Sequence, residues 1–202
     1  MVEYFVAGGE FMYPILIVFI IGLIISVVKL ITLLSSGVNA GKLMQDIKKA
    51  TVQQGPDAAL KFVKGSKPLE QVLNAAIRNT NYGFEATERS IVAEGEIQVT
   101  YLEKGMIWLG TVVAIAPMLG FLGTVIGMVS AMDNIAKAND VSPGLIAGDI
   151  SVALLTTAFG LIVALVIQTM QNVFSNIIDN RVLDMQEASV AYLETLTELE
   201  KR

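Results

Sequence analysis

Three long apolar blocks dominate the pattern of hydrophobic and polar positions along the chain. They cover residues 11–34, 105–132 and 150–178, and the last two contain no charged side chain. About 20 apolar residues in a helix cross a bilayer, so each block predicts one transmembrane helix. As helices, the last two would be about 42 Å long, so we expect them to tilt or to extend beyond the hydrocarbon core.

The stretch between the first two blocks, residues 35–104, is polar and is divided by turn signals. Glycine, proline, serine and asparagine cluster at residues 35–37, 55–56, 65–68 and 81–83. Between these clusters, apolar residues recur three and four positions apart, which predicts short helices. The last such pattern, from Phe84 to Lys104, predicts a helix that continues into the second block.

The tail, residues 179–202, is predicted to be helical and to carry an apolar stripe. Apolar or small residues alternate in steps of four and three, as in a heptad pattern, at Ile178, Val182, Met185, Ser189, Tyr192, Leu196 and Leu199. Such a stripe needs a partner helix. The partner is either in the same chain or in another copy, and the sequence leaves both interpretations open.

Composition narrows the functional classes. Of the 202 residues, 53% are hydrophobic and 16% are charged, against about 25% charged in a soluble domain. The net charge of −5 provides no basic face for nucleic acid. Because cysteine and histidine are both absent, the chain lacks a thiol nucleophile, the usual metal ligand and the commonest general base. We therefore expect neither an enzyme nor a bound cofactor.

The distribution of lysine and arginine predicts the orientation. Ten lie in residues 29–104, one lies in residues 133–149, three follow residue 178, and none precedes the first block. Positively charged loops remain in the cytoplasm, so the N-terminus is expected outside and the C-terminus inside. The chain is predicted to be a multi-pass protein of the cytoplasmic membrane.

The predicted fold class is an all-α integral membrane protein with three transmembrane helices and long cytoplasmic helical extensions. Its segments are a periplasmic N-terminus (1–10), transmembrane helix 1 (11–34), a cytoplasmic helical segment (35–104), transmembrane helix 2 (105–132), a periplasmic loop (133–149), transmembrane helix 3 (150–178) and a cytoplasmic C-terminal helix (179–202).

The second block carries a motif of small residues from Ala116 to Met128. Its glycines, Gly120, Gly123 and Gly127, allow another helix to approach closely, and Pro117 frees a backbone carbonyl and bends the helix. Packing and bending alone would explain this pattern. Thr124 lies within the motif; its hydroxyl either returns to the preceding turn or faces a polar gap.

The third block carries two adjacent hydroxyls, Thr156 and Thr157, followed by Gly160. Successive helical residues point about 100° apart, so we expect one hydroxyl to face a neighbouring helix and the other a pore. Neither this block nor the second has an ionisable side chain. If the protein moves ions, a partner must supply the carboxylate.

With these motifs the chain resembles the MotA/TolQ/ExbB family, and its three spans favour the ExbB/TolQ-like branch. Residues 116–128 are similar to the family's Ala-Pro-x-x-Gly-x-x-Gly-Thr-x-x-Gly signature, and residues 153–161 to its Ala-Leu-x-x-Thr-Ala-x-Gly-Leu signature. The resemblance implies a homopentameric ring whose second and third spans line a pore. It also implies two copies of an ExbD/TolR-like single-span partner with a membrane aspartate, and a TonB/TolA-like effector.

The resemblance also bears on the transported ion, Na⁺ or H⁺. Proton-using ExbB and TolQ have a glutamate where this chain has Val152, and an alanine where it has Thr156. The run from Val152 to Thr157 is more similar to the sodium-driven flagellar subunit PomA. This resemblance implies that Thr124, Thr156 and Thr157 take part in sodium use. Hard cations bind oxygen ligands, so we favour sodium over proton; the alternative is proton flow through water.

Acidic residues flank the predicted outer mouth of the pore. Asp149 either caps the third span or attracts cations, as a ring of acidic residues would, while Asp133 and Asp140 are expected to solvate the loop. Two other functions stay open at this point. A passive membrane scaffold would use the Gly/Thr seams only for packing, and a transporter subunit would need a repeat or a substrate counter-ion that the spans do not offer.

Overall fold

The computed structural model describes residue 5, residues 7–138 and residues 143–200. Its described elements are helical, with no strand among them. They are α1 (Met12–Ser35), α2 (Ala40–Gln54), α3 (Pro56–Ala59), α4 (Pro68–Asn79), a 3₁₀ turn (Thr80–Tyr82), α5 (Phe84–Glu103), α6 (Met106–Ala138) and α7 (Pro143–Glu200).

Three of the described helices, α1, α6 and α7, are long and apolar enough to cross a membrane. They contain the three apolar blocks of the sequence except Phe11 and Gly105, which directly precede α1 and α6. The prediction of an all-α membrane protein with three spanning helices is therefore confirmed. Pro14 lies in the first turn of α1, where a missing N–H costs little because that group has no helical acceptor.

The prediction that the helix after Phe84 runs into the second block is wrong. α5 ends at Glu103, Lys104 leaves the helical conformation with ψ 126°, and α6 begins at Met106. Gly105 has φ +91°, in the left-handed region that favours glycine. The glycine at this position ends one helix and permits the next to begin.

Helices also occupy most of the segment predicted as the loop 133–149. α6 continues to Ala138 and α7 begins at Pro143, where proline is well tolerated because the first helical N–H needs no partner. Asp140 lies outside the described residues, as do residues 1–4 and 6 of the predicted N-terminal segment. At its other end, α7 continues without interruption into the tail as a helix of 58 residues.

The chain divides into two compact units. The membrane unit comprises residues 1–29 and 105–173. Its buried core contains Ile15 of α1, Ala116 of α6 and Val163 of α7, with Phe19 and Phe159 packed against it. A Cβ at Gly22 of α1 would lie 3.0 Å from Val112 Cγ1 and 3.1 Å from Ile167 Cδ1, so a small residue is needed where α1 meets the other two helices.

The polar unit comprises residues 30–104 and 174–202. Its core is the apolar face of α4, together with the stripe that the tail was predicted to carry. Buried members are Leu69, Val72, Leu73, Ala76, Ile77, Ile178, Met185, Ser189, Tyr192 and Leu196. Of the two interpretations left open for the tail, packing against helices of its own chain is therefore observed.

Turn residues fix the ends of the short helices in this unit. The Asn39 side chain accepts a hydrogen bond from the Lys42 N–H at 3.0 Å and so caps α2. Gly55 and Gly83 have φ +86° and +100° and separate α2 from α3 and the 3₁₀ turn from α5. Both glycines belong to the turn signals that the sequence shows at residues 55–56 and 81–83.

Tyr192 fastens the tail to the 3₁₀ turn. Its side chain is fully buried, and its hydroxyl lies 2.7 Å from Thr80 Oγ1. Thr80 Oγ1 also lies 3.0 Å from the Ala76 carbonyl oxygen, and in the Tyr192–Thr80 pair either hydroxyl can donate. Burial raises the pKa of Tyr192 above its ordinary value of 10.0; the Thr80 hydrogen bond opposes this and the charge of Asp57 adds to it.

Tyr192→Phe should lower the free energy of unfolding by about 1 kcal/mol at neutral pH, the usual net value of one hydrogen bond. The fold favours the neutral phenol, so this contribution is complete below pH 10 and declines as the pH rises through the raised pKa. Thermal melts between pH 8 and pH 11 should show a steeper loss for the wild type than for the variant. Parallel curves would contradict the assignment.

Candidate functional site

The glycines of the second block lie in a seam between α6 and α7 of the membrane unit. A Cβ at Gly120 would lie 2.9 Å from the Thr156 carbonyl oxygen, and one at Gly160 would lie 2.5 Å from the Ala116 carbonyl oxygen. Both distances are shorter than real Cβ contacts. The two backbones therefore approach each other as only glycine allows.

Two more glycines extend the seam towards the N-terminal end of α7. At Gly123 an added Cβ would meet Thr156 Oγ1 at 2.5 Å, and at Gly127 it would meet Ala153 Cβ at 2.8 Å. Here the obstacle is a side chain instead of backbone. Positions rise along α6 as they fall along α7, so the helices are antiparallel.

The two adjacent threonines meet at one backbone carbonyl. Thr157 Oγ1 donates to the Gly120 oxygen at 3.0 Å, and Thr156 Oγ1 lies 3.4 Å from the same oxygen. Thr156 also donates to its own helix, at the Ala153 carbonyl, over 2.7 Å. The expectation that these hydroxyls face different neighbours is therefore wrong within the chain.

The two threonines differ in exposure. Thr156 is 1% exposed, whereas Thr157 is partly buried at the edge of the seam. A hydroxyl that donates its proton to a carbonyl keeps its lone pairs for another ligand. The Thr157 oxygen is thus the more accessible of the two.

Thr124 returns its hydroxyl to the preceding turn of its own helix, which is one of the two alternatives that the sequence left open. Its hydroxyl donates to the Phe121 carbonyl at 2.6 Å. It follows Gly123 directly, so it lies about 100° around α6 from that seam position. The structure brings Thr156 and Thr157 together at Gly120 and leaves Thr124 outside that contact, bonded within its own helix.

Asp149 lies in the second turn of α7, because the helix begins at Pro143. The alternative that it caps the third span is therefore wrong. Its Oδ2 accepts a hydrogen bond from Asn134 Nδ2 of α6 at 2.7 Å; Asn134 is exposed and Asp149 is partly exposed. Asp133 is exposed on α6. The carboxylate is held in place and remains accessible to cations.

The seam is free of ionisable groups. Residues 106–132 of α6 and 150–178 of α7 contain no Asp, Glu, Lys or Arg. Val152 stands where the proton-using ExbB and TolQ proteins have a glutamate, and it is partly buried. Its Cγ1 lies 3.3 Å from the position that a Cβ on Gly9 would take. In the described part of the chain, no three Asp or Glu side chains come together as a metal site.

Sequence reasoning missed two members of this arrangement. One is the Gly120 carbonyl, which the motif identifies only as a glycine. The other is Asn134, the partner of Asp149. The sequence does show an amide at this position of α6. Pairing it with Asp149, however, requires the antiparallel register of α6 and α7, which the sequence alone does not give.

Comparison with protein families settles the family. The sequence profile described as the MotA/TolQ/ExbB proton channel family matches residues 64–187, which include α4, α5, α6 and the seam and extend to Glu187 in the tail. The chain belongs to this family. Membership confirms the resemblance found in the sequence and, because the family is one of channels, the prediction that the chain is not an enzyme.

Curated relatives of this MotA/TolQ/ExbB member are ExbB proteins. A homologue of the biopolymer transport protein ExbB from Methanothermobacter thermautotrophicus is 28% identical over 186 residues, 89% of this chain and 64% of that protein. The biopolymer transport protein ExbB of Xanthomonas campestris is 37% identical over 93 residues, 46% of this chain.

The ExbB of Salmonella typhimurium is 34% identical over 88 residues, 44% of this chain and 34% of that protein. The chain thus matches less than two thirds of the length of these relatives, and the Xanthomonas match covers 37% of that protein. These similarities support the ExbB-like branch of the family.

Proposed function

We propose that this chain is an ExbB/TolQ-like subunit of an ion-driven rotary motor in the cytoplasmic membrane. Five copies would form a ring whose pore is lined by α6 and α7. Two copies of an ExbD/TolR-like partner would stand inside it, each with one membrane aspartate. Ion flow would be coupled to mechanical work on the cell envelope, such as transport across the outer membrane through a TonB/TolA-like effector.

One observation carries this proposal: two hydroxyls converge on the Gly120 carbonyl in a pair of helices without ionisable groups. Such an oxygen cluster can replace part of the water around a hard cation. It cannot supply the negative charge, so a partner carboxylate is required. Membership in a channel family supports the same division of labour.

Sodium is the ion we favour. Thr156, Thr157 and the Gly120 carbonyl offer oxygen ligands, and we propose Thr124, whose hydroxyl is bonded to Phe121 in α6, as a further one. At position 152 this chain has a valine in place of the glutamate that could bind and pass on a proton. The proton-driven version of the same motor is the competing hypothesis, and the description of the family favours it. A passive scaffold is the third, and it would show no dependence on any ion.

The orientation that we propose follows from the basic residues. Residues 30–104 carry nine Lys or Arg, and the stretch from Asp133 to Asp149 carries one. The polar unit would therefore be cytoplasmic, and Asp149 would be at the outer mouth. Five copies of Asp149 would raise the local cation concentration at the entrance.

The deciding experiment is a thermal melt of the full chain co-purified with its single-span partner. Sodium is compared with potassium at equal ionic strength and fixed pH. A ligand that binds the folded state stabilises it by about 2.7 kcal/mol at a hundredfold excess over Kd. We expect a shift with sodium only. An intact complex with equal melts in both salts would contradict sodium binding and would leave the proton-driven motor and the passive scaffold.

A further inference from the structure

An open groove crosses the polar unit between α5 and the 182–193 section of α7. It has a volume of about 580 Å³, and Val72, Ile91 and Met185 lie along it. Two more of its apolar side chains, Val92 and Val190, are each 56% exposed. An exposed apolar surface of this kind marks a place where another chain binds.

Gly95 is one of the residues that line the groove. It lies inside α5, and a Cβ built on it would meet no described atom within 4 Å. Glycine is a poor residue for a helix interior, and no neighbour in the described chain requires it there. The space beside it allows another backbone to approach α5 closely.

The groove is acidic. Glu88 and Glu96 line it, and its described lining residues include no lysine or arginine. A second cleft adjoins the groove, because Val190 and Leu193 line both; Glu194 and Glu198 also line this second cleft. Glu198 forms an ion pair with Lys48 at 3.2 Å. The occupant should therefore carry basic residues beside an apolar surface.

The chain contains a surface of that chemistry. Residues 40–79 have seven Lys or Arg against three Asp or Glu, whereas residues 84–103 and 179–200 together have two against eleven. Lys49 and Lys61 line a shallow cleft of α2 and α3 with Asp46 and Phe62. Phe62 is 43% exposed, and Lys49 lies about 200° around α2 from buried Ile47, so it points away from the core.

We propose that the acidic groove of one copy receives the basic α2–α3 edge of a second copy. The two surfaces share no residue, so the contact is head-to-tail, and its repetition can close the ring of the proposed motor. This inference specifies the subunit contact of the proposed motor, and it can fail while the ion pathway stands. The opposite charges select the partner, and the apolar groove and Gly95 provide the close fit.

Because the chain has no cysteine, engineered cysteines can test the contact cleanly. Val92→Cys places one in the groove and Phe62→Cys one on the basic edge. A short bismaleimide added to membranes containing the full-length double variant should give a ladder of covalent multimers. Each single variant should give none. Ile97→Cys with Phe62→Cys is the matched control, since Ile97 is 59% exposed on α5 but does not line the groove.

Charge reversal identifies the occupant. In the double-cysteine chain, Glu88→Lys with Glu96→Lys should lower the cross-linking yield at least fivefold, as should Lys49→Glu with Lys61→Glu. Combining all four reversals should restore the ladder, because each surface again meets its opposite. Gly95→Leu should abolish it by filling the groove. Circular dichroism verifies that each variant remains folded.

Several outcomes would overturn the proposal. They are no ladder, a ladder from Val92→Cys alone, equal cross-linking of the Ile97 control, or no recovery in the fourfold variant. The last would indicate that a different basic protein occupies the groove. If cross-linking fails while sodium still stabilises the complex, this contact is wrong and the ion proposal stands. If the copies cross-link as expected while sodium has no specific effect, the contact stands and the sodium proposal is wrong.

Discussion

Gly160→Ala is expected to destabilise the membrane unit by about 1–3 kcal/mol, the usual cost of overpacking a filled interior. The added methyl would lie 2.5 Å from the Ala116 carbonyl oxygen. A backbone atom cannot turn aside as a side chain can, so α6 and α7 must move apart. The separation would also lengthen the Thr157–Gly120 hydrogen bond. A thermal melt in detergent measures the loss.

Two further glycine variants make this prediction specific. Gly110→Ala, in α6, adds a methyl whose nearest neighbour is Gln171 Nε2 at 3.5 Å, an ordinary contact, so its melting temperature should be unchanged or slightly higher. Gly123→Ala should lie between the two, because its obstacle is the Thr156 side chain. Equal melting of Gly160→Ala and Gly110→Ala would show that the seam is not tightly packed.

The three membrane helices could be predicted because burial in lipid requires a long apolar run, and that requirement is written in the sequence itself. The tail stripe from Ile178 to Leu199 was equally visible, since helical spacing determines which residues share a face. What the pattern could not specify was the partner of that stripe. The contact of Tyr192 with Thr80 joins positions 112 apart in the chain, and no local pattern contains it.

Helix ends were less predictable, for two different reasons. At Gly105 the apolar pattern continues across a break that depends on one left-handed residue. Between the second and third blocks, the appearance of Asp133, Lys137 and Asp149 suggested a loop, yet polarity reports contact with water and does not report the backbone conformation. Helices that extend out of the membrane are polar and still helical.

The threonine pair shows why helical-wheel reasoning failed at the seam. Successive side chains do point about 100° apart, which would separate the two hydroxyls. At Gly120 and Gly160, however, the helices are close enough for a backbone carbonyl of α6 to lie between both side chains of α7. The acceptor is a backbone oxygen whose accessibility depends on the missing Cβ, and a residue pattern does not display backbone oxygens.

Thr157→Val is expected to raise the sodium Kd of the complex at least tenfold. The change keeps the shape of the side chain and removes the oxygen that is both paired with Gly120 and partly exposed. At a sodium concentration one hundred times the wild-type Kd, the sodium-specific stabilisation should fall from about 2.7 to about 1.4 kcal/mol. Melts in sodium and potassium, at several concentrations, measure the change.

Variants at the two other threonines separate ion binding from packing. Thr156→Val removes a hydroxyl that is 1% exposed and should lower stability in both salts as well as weaken sodium binding, whereas Thr156→Ser should retain the sodium response. Thr124→Val should have a smaller effect, since its hydroxyl already returns to Phe121. If Thr157→Val and Thr156→Val change the melts equally in sodium and potassium, the hydroxyls only pack the seam. The sodium assignment would then be wrong, and the proton-driven motor and the passive scaffold would be left as the competing proposals.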